Sequence, residues 1–109
     1  MNDKEVAGVA ESLAAAADRF KNDINKDATL AKPDKEAAKK DVELLVKQAN
    51  EVKSRTNDGQ PATGEVRQLV EQIAKIQTFV IAHPSTVAGN WQAVQASAGK
   101  LQQAFGLTP

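Results

Sequence analysis

The side chains able to do chemistry in this chain are few, and their spacing works against most reactions. His83 is the one histidine among 109 residues. In a helical domain a lone histidine raises phosphotransfer, which needs an exposed imidazole in the middle of a helix. His83 is instead followed by Pro84, Ser85 and Thr86. Proline pushes the preceding residue out of the helical region, so His83 is expected at a helix end, in a capping or turn role. Cysteine is absent. That removes disulfides, thiolate metal sites, cysteine nucleophiles and c-type haem attachment together.

The acids offer no better start. A carboxylate-bridged metal pair in a helical bundle needs Glu from two helices and Glu-x-x-His from two more. No Glu-x-x-His occurs, and Glu11, Asp18, Glu43, Glu51 and Glu71 fall mostly off the apolar stripes. Haem held without cysteine would need His or Met in the core, but Met1 and His83 are terminal to their elements. There is no Gly-x-Ser-x-Gly elbow and no carrier-type Asp-Ser-Leu. Gly59 and Gly64 lack the following Lys-Ser/Thr of a phosphate loop. No cofactor, metal or catalytic residue is therefore expected, and the chain reads as a non-enzyme.

The elements that position these residues are helices. From Glu65 to Ala82, the positions Val66, Leu69, Val70, Ile73, Ile76 and Val80 recur at steps of three and four. That is one stripe of a helix turning every ~3.6 residues. Val6, Val9, Leu13, Ala16, Phe20 and Ile24 form a first stripe. Asn2 is its expected cap, with Glu5 completing a capping box. Ala38, Val42, Leu45, Ala49 and Val52 form a second, opened by Pro33-Asp34. Val87, Trp91, Val94, Ala98, Leu101 and Phe105 form the last, with Ser85 as its cap and Gly106 as its stop. Asn57-Asp58-Gly59 with Pro61 is the strongest break, and Thr63 is the expected cap of the third helix. The helices are predicted at about 3–25, 34–55, 64–82 and 86–105, each ~27–33 Å long. Short connectors favour antiparallel neighbours. The expected fold is all-α, a single domain over residues 1–109, and an up-down-up-down antiparallel four-helix bundle. A three-helix bundle with a loose or swapped terminal helix is the alternative.

Composition narrows the partners. Fourteen basic and fourteen acidic residues cancel, so the broad basic surface that phosphate backbones demand is missing. Aromatics make up 4% of the chain and tyrosine is absent, which argues against a base-stacking platform. No nucleic acid is expected. Hydrophobic content of 41% excludes simple disorder. No apolar run reaches the ~20 residues of a membrane span.

Four apolar residues and one lysine cluster merit a second reading. Trp91 lies inside the fourth stripe and is expected as the core anchor, with its indole N–H needing a partner. Its alternative role is a platform for a small apolar ligand. Leu44, Phe79 and Ile81 lie off their stripes. They are either part of a wide interface or an exposed patch for a partner, with the Phe79–Ile81 end as the candidate binding surface. Lys35, Lys39 and Lys40 could hold an anion, but interleaved acids make them a solvated face. Glu36 with Lys40 and Glu43 with Lys47 are expected i,i+4 pairs.

The last helix carries a Trp-x-x-Val-x-x-x-apolar-x-x-Leu-x-x-x-aromatic pattern at Trp91, Val94, Ala98, Leu101 and Phe105, after the turn His83-Pro84-Ser85. With Phe20 and Leu30, it resembles a group of small uncharacterised bacterial proteins exported to the periplasm or beyond. Ala98 is smaller than the Leu usual there. The resemblance implies export and a helical bundle without assigning chemistry; a chain that is no mature form would remain cytoplasmic. The expected function is contact with a protein partner, as a monomer or homodimer. The alternative is carriage of a small apolar ligand near Trp91.

Overall fold

The computed structural model describes residues 1–84 and 89–107. It contains four helices: α1 (Asp3–Lys26), α2 (Lys32–Asn57), α3 (Thr63–Ala82) and α4 (Gly89–Ala104). The expected Ser85 cap and the Val87 stripe position lie outside the described residues.

Local chemistry sets most of the boundaries. The Asn2 carboxamide oxygen accepts the Glu5 N–H at 2.8 Å and caps α1. At the other end Asp27 turns its carboxylate back onto the Thr29 N–H at 2.8 Å, a local bond that competes with helix continuation. The last turn of α1 is finished from α2. Lys35 donates to the Asn25 carbonyl at 3.1 Å, and Lys39 donates to its side-chain oxygen at 3.0 Å. Cations at a helix C-terminus are electrostatically favoured. α2 begins two residues before the predicted Asp34, because Pro33 in the first turn costs no backbone bond. Gly59 and Gly106 adopt positive φ, at 70° and 67°. Gln60 N–H reaches the Arg55 carbonyl at 2.8 Å, and Leu107 N–H reaches that of Gln102 at 2.8 Å. Both are six-to-one closures past a left-handed glycine.

Thr63 is not the cap of α3. Ala62 holds that position without a side-chain bond, and Thr63 is the first helical residue. Ala62 is only 2% exposed, so burial of its methyl, rather than a hydroxyl cap, fixes the helix start.

Side-chain pairings give each seam its direction. Lys21 meets Glu43 at 3.2 Å and Lys53 meets Glu11 at 3.7 Å, so α2 runs back along α1. Arg55 meets Glu65 at 3.3 Å, and Lys75 meets Asp41 at 3.3 Å, so α3 runs back along α2. Gln77 faces Trp91, while Leu107 lies beside Val70, so α4 runs back along α3. Phe20 faces Trp91, and Ser12 lies beside Ser97, which closes the ring. The helices therefore alternate in direction around one core. The expected i,i+4 pairs give way to others: Glu36 pairs with Lys39 at 3.8 Å, and Glu43 crosses to Lys21.

The seams differ in tightness. α1 and α2 make the closest contact and α3 and α4 the sparsest. Ala7, Ala10, Ala14 and Ala17 are buried along one flank of α1. Small side chains let the backbones approach. On α4 the positions turned toward α3 include Gln95, which bonds Gln77, with Gly99 and Gln102 at the following turns. A methyl added at Gly99 would meet nothing within 4 Å.

Candidate interaction surface

Trp91 is 1% exposed and lies against Phe20, ring centroids 5.0 Å apart. Its indole N–H donates to the Gln77 side-chain oxygen at 2.7 Å, and Gln95 donates to the same oxygen at 3.1 Å. The glutamine oxygen thus satisfies the one polar atom of the largest core side chain. Two further bonds pin this end of α4 to α1. Arg19 donates to the Asn90 oxygen at 3.1 Å, and Asn90 donates to Asp23 at 2.9 Å.

Leu44, Phe79 and Ile81 do not form one patch. Leu44 is 44% exposed and Ile81 is 69% exposed. Phe79 is half-buried, packs against the core and stacks its ring on His83 at 4.7 Å. Phe79 and Ile81 are two positions apart, hence about 200° around the helix. Phe79 shares the flank of Gln72 and Lys75, which bond Asp41 of α2. Ile81 shares the flank of Gln77, which bonds α4. Leu44, three residues after Asp41, borders the α2–α3 seam. The separation follows from the helical period alone. His83 ends α3, its N–H bonded to the Phe79 carbonyl at 3.0 Å.

Three polar residues missed by the sequence reading stand out: Gln72 and Arg55 tie α3 to α2, and buried Thr56 closes on its own helix. Gln72 is buried and donates to the Asp41 carbonyl at 2.7 Å. Thr56 is buried, its hydroxyl bonded to the Val52 carbonyl at 2.7 Å. Arg55 donates to the Pro61 carbonyl at 2.9 Å while pairing with Glu65. Gln72 falls beside Leu69 and Ile76 on the wheel, which was the available signal.

A hollow lies elsewhere, between α1 and α4. It has a volume of about 460 Å³. Gly8 and Ser12 of α1 and Ser97 of α4 form its floor and sides. Gly8 is exposed, and a methyl there would meet nothing within 4 Å. Met1, 59% exposed, and half-buried Val9 supply apolar surface. Glu5 stands on the α1 wall and Lys100 on the α4 wall. Among the described residues neither has an ion-pair partner. The sequence signal was Gly8 itself, a glycine inside a helix where alanine is favoured.

Among the described residues, no three His, Asp or Glu side chains come together to hold a metal ion. No helix described is long and apolar enough to cross a membrane. Compared with known proteins, the chain matches no family model, no curated protein and no solved structure.

Proposed function

We propose that this chain is a non-enzymatic bundle that acts by contact with another protein chain, outside the cytoplasm as its resemblance implies. The observation that carries the reading is the α1–α4 hollow, where apolar surface, small side chains and two unpaired charges of opposite sign lie together. Interfaces combine such an apolar centre with a charged rim. The Phe79–Ile81 end is a weaker choice, since its two apolar side chains point to different flanks. The ligand-carrier reading is also weaker: Trp91 is covered by Phe20, and Gln77 occupies its N–H.

A photo-crosslinking residue at Ser97, compared with one at Ile81, tests the reading. Adducts formed from Ser97 within the source cell, and few from Ile81, are expected. Adducts from Ile81 alone, or from neither, would overturn it.

A further inference from the structure

We infer that the α1–α4 face is a self-recognition surface and that its occupant is a second copy of this chain. The inference rests on the proposed contact function and names the partner. Its first support is charge. Glu5 and Lys100 stand on opposite walls of one hollow, and neither has an ion-pair partner among the described residues. Lys21–Glu43, Lys53–Glu11 and Lys75–Asp41 are paired across helix seams within the chain, whereas the unpaired Arg67 and Glu71 beside Leu107 both stand on α3 and do not face each other from two helices. A two-fold axis running along the groove lays α1 of one copy over α4 of the other. Each Glu5 then faces the other copy's Lys100, and the pairing occurs twice, as an isologous contact requires.

A second support is the surface of α4. Its 16 residues carry a single charge, Lys100. Gln92, Ala96 and Gln103 are exposed. No like charges on this helix repel an approaching chain, and the one cation is the one the opposite wall complements. Third, the whole molecule has a formal net charge of zero and a sequence pI near 6.6. Two copies therefore meet at neutral pH without net repulsion. The apolar contribution comes from Val9 and Met1, which line the hollow together with the small residues Gly8, Ser12 and Ser97.

Charge reversal tests this directly. Sedimentation velocity over a wide concentration range would compare the full chain with Glu5→Lys, Lys100→Glu and the double reversal. The full chain is expected to dimerise reversibly. Each single reversal turns two attractions into two repulsions and should weaken the dimer about tenfold or more at low salt. The double reversal should restore the affinity to within about threefold of the starting chain. Glu5→Lys also places a cation in the first turn of α1, so circular dichroism of each variant checks the fold, and the double reversal carries the same change. A monomer at all concentrations would overturn the inference. So would a dimer indifferent to both single reversals, or a double reversal no better than either. A monomeric chain whose Ser97 adduct joins a different protein would sink the self-recognition alone and leave the contact function standing.

Discussion

At the scale of the residue, burial and hydrogen-bond satisfaction decide which side chains matter. Trp91→Ala removes the largest core side chain and should cost about 3–5 kcal/mol, read by chemical denaturation. A cost below about 1 kcal/mol would mean the ring is not packed against Phe20 as described. Gln77→Ala removes no comparable volume but leaves the indole N–H without its acceptor. It should cost about 1 kcal/mol, near the low end for a lost partner because the bond is only partly buried. Ile81→Ser, at a side chain 69% exposed, should change stability by no more than about 0.5 kcal/mol. A larger loss would show that Ile81 packs against something.

The same scale shows where reading the sequence ran out. The Trp91 position is legible because Val87, Val94 and Ala98, four before and three and seven after it, are apolar. Gln72 is less so: its place beside Leu69 and Ile76 on the wheel is the only signal, and its burial depends on the Asp41 carbonyl lying across the seam. Lys47 is the partner the sequence offers Glu43, because i,i+4 neighbours are visible in one helix. Its partner Lys21 belongs to another helix, and only the α1–α2 register brings the two together.

At the scale of the element, the glycines separate into two kinds. Gly59 sits at φ 70° in the closure of α2. Replacing it by alanine should destabilise the fold by about 1 kcal/mol, since a side chain there strains the left-handed backbone. Gly8 is inside α1 with nothing within 4 Å of an added methyl. Gly8→Ala should therefore stabilise the dilute monomer by roughly 0.5–1 kcal/mol, seen as a raised melting midpoint. A destabilised monomer would mean the groove floor is tighter than described. The four helices and their order were legible from the stripes. The groove was not, because it arises where residues of low volume on α1 and α4 meet, and nothing in either stripe says which helices are neighbours.

At the scale of the whole molecule, a long bundle of 43 × 25 × 20 Å is held unevenly. The alanine flank of α1 closes the α1–α2 seam, whereas glutamines and a glycine face α3 across the opposite one. Amide exchange should be slowest in the middle of α1 and α2 and faster along α4. Uniform protection across all four helices would contradict the ordering of the seams. Net charge, read from composition, holds for the whole molecule. The placement of Glu5 and Lys100 on facing walls does not follow from it, since a neutral total is silent on where charges stand.

Three of the four seams join helices consecutive in the chain, while α1–α4 joins helices from opposite ends. The consequence is kinetic. Hairpins of neighbouring helices close short loops, but docking α4 on α1 closes a loop spanning most of the chain and bears a larger entropic cost before any contact compensates it. The Phe20–Trp91 stack and the Arg19–Asn90–Asp23 bonds should then form after the rate-limiting barrier. Weakening them, as in Asn90→Ala, should speed unfolding and leave the folding rate nearly unchanged. Rupture of the molecule would accordingly begin where its two ends meet.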